Sequence, residues 1–240
     1  MRWWWREISE LVLPAVCAGC GHARTSLCGE CAQELAGPPA RARPCPAPAG
    51  LPEVFAAARY EGGVRSVLLA HKERGALGLA RPLGAALAGA VQAASLRGGE
   101  AQGPLLLVPV PSAGRAVRAR GHDPARRIAV AAAVALRRAG AYARALPVLR
   151  QCRQVSDQSG LTARERLENM AGALEAAPWA GRALEARGAV LVDDVMTTGA
   201  SLAEAARALR AALSGRVSEY TRMSAAVVAA PALSFETGRN

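Results

Sequence analysis

The stretch GAVLVDDVMTTGAS, Gly188 to Ser201, restricts the fold more than any other part of this chain. Ala189 to Val192 is an apolar, largely β-branched run of the length expected for a strand buried on both faces, as in a parallel sheet under helices. Asp193 and Asp194 stand where that strand emerges, and Thr197, Thr198, Gly199, Ala200 and Ser201 make a hydroxyl-rich turn with one permissive backbone position. Leu202, Ala206 and Leu209 then recur at helical spacing, so the unpaired amides of a helix start point at the mouth of the sheet. Such amides favour anionic oxygen, and carboxylates accept hydrogen bonds from hydroxyl groups. The implied ligand is a sugar phosphate with free hydroxyls. The plainer reading is an acidic strand end followed by a Ser/Thr turn that starts a helix.

Strand and helix patterns alternate along the rest of the 240 residues. Val54–Tyr60, Leu105–Val110, Ala145–Leu149, Gly172–Ala176 and Arg216–Val228 read as β elements. Val64, Val67, Leu68 and His71 share one helical face with Lys72 beside it, and Gly75 closes that helix. A second helix runs from about Leu77 to Leu96, bent or restarted near Pro82. Asp123 as N-cap and Pro124 behind it start a third, which ends near Ala139. The economical fold is α/β: a twisted, mostly parallel sheet with helices on both faces, spanning 54–240. The tail from Pro231 is expected to fray.

A small module precedes that domain over 1–45. Cys17 and Cys20 form one CxxC, Cys28 and Cys31 a second, with seven residues between the pairs and with Gly19 and Gly29 easing the turns. Four thiolates so spaced can surround one zinc ion tetrahedrally; two disulfides are the alternative, disfavoured in a reducing cytoplasm. His22 is read as a bystander, and Cys45, inside the Pro-rich linker Ala36–Glu53, has no partner at ligand spacing. Trp3 to Trp5 with Ile8, Leu11 and Val12 suggest a short helix packing its apolar side on the protein, since Arg6, Glu7 and Glu10 interrupt the run. No apolar run is long enough to span a bilayer, and no signal peptide is read.

The formal charge of +11 favours acidic ligands, yet the arginines are scattered and show no aromatic interleaving of the kind that stacks single strands. Among 30 Lys plus Arg there is a single lysine, Lys72, and Asn occurs only at Asn169 and Asn240. An ammonium is a compact charge that Arg cannot copy, which gives a physical reason for retaining Lys72. Pro111–Asp123 is read as a Gly- and Arg-rich connection whose Arg115, Arg118 and Arg120 suit a pyrophosphate. The polar segment Arg150–Asn169 carries Arg153, Gln158, Thr162, Arg164, Glu165 and Arg166, with a helical second half and a first half able to close over a ligand.

The 188–201 stretch resembles the phosphoribosyl diphosphate signature of type I phosphoribosyltransferases. That resemblance assigns Asp193 and Asp194 to the ribose hydroxyls and Thr197 to Ser201 to the 5'-phosphate. More broadly, the cysteine knuckle, Tyr60 with its glycine turn, Lys72, VPVP at Val108–Pro111, Arg120–Gly121, Gln158, the ERLEN run Glu165–Asn169 and LVDDVMTTGAS together resemble the ComF family. This chain has RGHDP where the family usually reads RGFNQ, Ser201 where threonine is commoner, and only Cys45 of a second cysteine pair. The resemblance implies transfer of ribose 5-phosphate to an acceptor, Mg2+ bound with phosphoribosyl diphosphate, and catalytic roles for Asp193, Asp194, Lys72 and Arg164, beside the one structural Zn2+ expected from the cysteine spacing and the cytoplasmic location expected where nothing suggests export. It also implies an association with competence, hence the DNA-uptake machinery or single-stranded DNA as partners. The alternative from another class is a non-catalytic ligand-sensing or DNA-handling scaffold of the competence machinery.

Overall fold

The computed structural model describes residues 15–96, 104–156, 160–184, 189–213 and 223–236. The tryptophan-rich start, the 97–103 connection, Gln158 and the first part of the last β element lie outside these residues. The main sheet holds six strands: β1 (Ala40–Arg41), β2 (Glu53–Arg59), β3 (Leu105–Pro109), β4 (Ala143–Ala145), β7 (Ala189–Val195) and β8 (Met223–Ala230). Their order is β1-β2-β8-β7-β3-β4, and only β1 runs antiparallel to its neighbour. A two-stranded antiparallel ladder of β5 (Leu149–Gln151) and β6 (Leu174–Ala176) sits apart.

Side-chain alternation along the strands splits the core in two. Val190 and Val192 of β7, with Ala226 and Val228 of β8, pack under α2 (Gly62–Glu73), α3 (Ala80–Leu96) and α5 (Pro124–Arg138). Ala189 and Leu191, with Ala225 and Val227, face α7 (Ala180–Leu184), α8 (Ala200–Leu213) and the small ladder. A buried leucine such as Leu191 contributes about 2 kcal/mol by leaving water, so the two layers together hold the parallel strands in register. From β3 the chain proceeds to β4 on one side, and from β7 to β8 on the other. The adjacent β3 and β7 thus form a topological switch point, with a crevice outside their carboxyl ends.

Several elements differ from the sequence expectation. Β-structure in β7 continues three residues past Val192 and takes in both aspartates. The Pro111–Asp123 connection contains a helix, α4 (Gly114–Arg120), because Arg and Ala are good helix formers and Gly121 closes the turn at φ 75°. The strand expected at Ala145–Leu149 is two short strands, β4 and β5, divided by an irregular stretch over 146–148 that contains Pro147, so the chain leaves the main sheet there. Pro82 lies in the first turn of α3, where a missing N–H costs nothing, preceded by a 3-10 turn at Leu77–Leu79. Part of the expected linker is strand β1, whose Ala40 and Arg41 pair with Ala56 and Phe55. The tail is anchored through Glu236: Arg43 N–H donates to Ser234 O at 2.6 Å, and Arg41 pairs with Glu236 at 3.6 Å.

Candidate functional site

The crevice at the switch point is a cavity of about 640 Å3. Asp193 and Asp194 stand at its floor, Thr197–Leu202 form one wall, and Val110–Ala113 with Arg115 and Arg120 form another. Tyr60, Leu68, Leu69 and Lys72 close a third side, and Gln151, Val155, Ser156 and Met170 a fourth. The turn before α8 has the shape the sequence implies: Gly199 adopts φ 76°, open to glycine at little cost, and the Thr198 hydroxyl accepts from the Ala200 N–H at 3.5 Å. Leu51 and Pro44 of the Pro-rich segment lie against Gly199, where a Cβ would meet the Leu51 methyls at 3.1 Å. That segment therefore buttresses the turn from behind.

Because Asp193 and Asp194 are consecutive on a strand, they project to opposite faces of the sheet. Asp194 points toward α2, where Lys72 Nζ donates to its Oδ2 at 2.7 Å. Asp194 also accepts from the Val195 N–H and Asp193 from the Asp194 N–H, each at 2.8 Å. The charge of Asp194 raises Lys72 to about 12 against the opposing effect of burial, with Asp193 adding to the rise. Burial pushes Asp194 upward, but the charge and hydrogen bond of Lys72 outweigh it and hold that carboxyl below its ordinary value. Asp193 is pushed well above its ordinary value by burial and by the neighbouring Asp194 charge, with Lys72 compensating only in part. One carboxylate is thus neutralised by a fixed cation, while the other is short of positive charge.

The remaining candidates are distributed unevenly. Arg120 lines the cavity while bonding the Lys72 carbonyl at 3.4 Å and Glu73 at 3.3 Å, so it braces the end of α2. Gly121 is the left-handed cap of α4. Asp123 caps α5 by accepting from the Arg126 N–H at 3.2 Å, and accepts from the Ser112 hydroxyl at 3.2 Å, tying the β3 loop to that helix. His122 lies 3.2 Å from the carbonyls of both His71 and Arg120. In RGHDP these two residues therefore serve the loop's own architecture.

Arg164 is 89% exposed on α6 (Ala163–Met170) and pairs with Glu168 at 2.8 Å, away from the cavity. Arg153 spans to the carbonyls of Asn169 and Ala171, at 2.9 and 2.6 Å, and so satisfies the C-terminal end of α6. Sequence reasoning missed three contacts: Arg166 donates to the Thr197 hydroxyl at 3.3 Å, Gln151 accepts from the Gly114 N–H at 3.3 Å, and Asn169 engages Ser156. Only the scarcity of asparagine hinted at the last, and no periodicity marks the other two.

The four N-terminal cysteines also come together. Cys17 sits in a tight hairpin in which its N–H donates to His22 O at 2.7 Å, and Cys28 is the N-cap of α1 (Gly29–Leu35), which carries Cys31. All four sulfurs lie within 4.8 Å of one another, and Cys20 and Cys28 are 3.6 Å apart. Zinc with sulfur at about 2.3 Å needs tetrahedral edges of roughly 3.8 Å, so the donor set fits one such metal ion. The thiols are free, and among the described residues no other His, Cys, Asp or Glu joins the cluster, His22 included. Burial raises the Cys17 thiol, but amides of Cys20, Cys28 and Gly19 outweigh this and bring it to about 6, whereas burial and the neighbouring thiols push Cys31 upward, so without a metal the four do not ionise together. Gly19 serves by leaving room: a Cβ there would lie 2.5 Å from Cys31 Sγ.

Among the described residues no helix is long and apolar enough to cross a membrane. No protein-family model and no curated protein matches this chain.

Proposed function

We propose that this chain is a phosphoribosyltransferase of the ComF type, with a type I phosphoribosyltransferase-like fold, which binds phosphoribosyl diphosphate with Mg2+ and transfers ribose 5-phosphate to an acceptor. One observation carries the reading: an acid pair and a hydroxyl- and amide-rich helix start share one cavity at the switch point of a parallel sheet. The Thr197–Ser201 turn suits the 5'-phosphate, because the helix start offers unpaired amides and favours negative charge. Asp193 and Asp194 suit the ribose hydroxyls, and Arg115, which lines the same cavity, suits the diphosphate. In the transfer, a bond forms from the acceptor nucleophile to C1 as the C1–oxygen bond breaks, and diphosphate leaves with the electron pair. When bound, Mg2+ neutralises charge on the leaving group. Carboxylate oxygens of Asp193 and diphosphate oxygens are the hard donors this ion prefers.

The second reading, a ligand-sensing scaffold without turnover, is favoured by the Lys72–Asp194 pair, which occupies one of the two carboxylates at 2.7 Å. Calorimetry with Mg2+ and phosphoribosyl diphosphate decides whether the ligand binds here. Replacing Asp193 and Asp194 together by Asn keeps the shape and weakens two charge-assisted acceptors, for an expected loss of roughly 2 to 4 kcal/mol. Equal affinity in wild type and double variant removes both the site and the transferase reading. Binding without diphosphate release across a panel of acceptors selects the scaffold.

A further inference from the structure

Val155 and Ser156, which line the cavity between Gln151 of β5 and Met170 of α6, belong to no strand or helix. Their attachment is a side chain. Asn169, on the last turn of α6, accepts from the Ser156 N–H through Oδ1 at 3.1 Å and donates through Nδ2 to the Ser156 carbonyl at 3.0 Å. The amide thereby imitates a neighbouring strand, meeting both backbone groups of one residue. The opposite amide orientation would set oxygen against oxygen and N–H against N–H, so the pattern fixes it. Arg153, three residues earlier, reaches the carbonyls of Asn169 and Ala171. The other end of α6 is held by a capping box between Thr162 and Glu165, and Arg166 from its middle meets the Thr197 hydroxyl.

We propose that Asn169 is a positioning residue for ligand binding: its two-way bond to the Ser156 backbone holds Val155 and Ser156 in place in the lining of the cavity that Asp193 and Asp194 also line. The requirement is a short, uncharged side chain that donates and accepts at once. Arginine and lysine only donate, carboxylates only accept, and alanine does neither. This accounts physically for an asparagine at 169 in a chain whose only other one is Asn240. The inference rests on the ligand reading above, and its test separates the two.

Asn169→Asp retains the acceptor and loses the donor, and a protonated carboxyl restores the donor. Calorimetry with Mg2+ and phosphoribosyl diphosphate should find this variant about tenfold weaker than wild type at pH 8. The ratio should narrow as pH falls toward 4, where the carboxylate takes up a proton: the Ser156 carbonyl favours the neutral form, while the Ser156 N–H and the Arg153 guanidinium favour the charged one. Asn169→Ala should be weak at both pH values. A deficit in Asn169→Asp that does not change with pH, or wild-type affinity in both variants, overturns the proposal. Amide exchange over 150–156 in ligand-free protein gives a readout independent of the ligand: both variants should exchange faster than wild type at pH 8. If wild type binds no phosphoribosyl diphosphate, the ligand reading fails on its own, and unchanged exchange in the variants then overturns the clamp.

Discussion

At the scale of single residues, two neighbouring aspartates with identical chemistry acquire opposite roles because one meets a lysine and the other does not. Asp194 is held low by Lys72, so it contributes stability above its unfolded value of 3.8, lost as pH falls through its lower folded value. Asp193 is pushed high by burial and by Asp194, so it binds its proton more tightly folded than unfolded. Its contribution therefore falls as pH rises from 3.8 through the raised folded value. Asp193→Asn removes that cost. Ligand-free Tm should rise at pH 7.5 by about 2–4 °C, the shift that roughly 1 kcal/mol gives a chain of this length. The gain should shrink as pH falls toward 3.8, where the wild-type carboxyl takes up its proton in the unfolded state as well. Thermal melts of both proteins from pH 4 to pH 7.5 check this; a gain of the same size at every pH would refute it. The acid pair itself was legible from a strand, two acids and a turn in succession. Its electrostatic asymmetry was not, because the partner lysine lies 122 positions away.

At the scale of elements, helix propensity and packing disagree in α3, and packing should decide. In isolation, Gly→Ala inside a helix stabilises by about 1 kcal/mol. Gly84, however, is where α3 meets α5: a Cβ there would lie 2.5 Å from the Ala131 Cβ and 2.8 Å from its backbone carbon. Backbone cannot yield as a flexible side chain can, so Gly84→Ala should destabilise by about 1–3 kcal/mol. Gly89, in the same helix, would place its Cβ 3.4 Å from Pro39 Cγ, a contact that small shifts absorb. Gly89→Ala should be neutral or stabilising by up to about 1 kcal/mol. Urea titrations of the two variants make the comparison, and a stable Gly84→Ala protein would show that the helices can separate without cost. Nothing in GALGLARPLGAALAGA distinguishes these two glycines by pattern. The same limit hid α4, whose Gly- and Arg-rich sequence carries no apolar periodicity and whose residues are not buried.

At the scale of the whole molecule, the cysteine module and the main domain share one surface. Leu35 of α1 is 1% exposed in the core beneath α2 and α3, and a Cβ on Gly63 would stand 3.1 Å from Cys31 Sγ. The first turn of α2 thus rests on the cysteine cluster, and its last turn presents Lys72 to Asp194. Protein purified without added zinc should carry about one equivalent, which Cys28→Ser reduces. At free zinc a thousandfold above Kd, binding stabilises by about 4 kcal/mol, so a strong chelator should lower Tm and zinc should restore it. A well-folded wild type without metal, indifferent to chelator, would count against this. The sequence alone determined the α/β class, the strand that carries two adjacent acids, the turn before α8 and the four clustered cysteines, because each is written in local period, spacing or turn chemistry. Only the tertiary structure decided that Lys72 neutralises Asp194, that Gly84 is a contact point, that Asn169 holds Ser156 and that the cysteine module abuts α2. Those properties depend on burial and on pairs of residues that become neighbours only when the sheet is assembled.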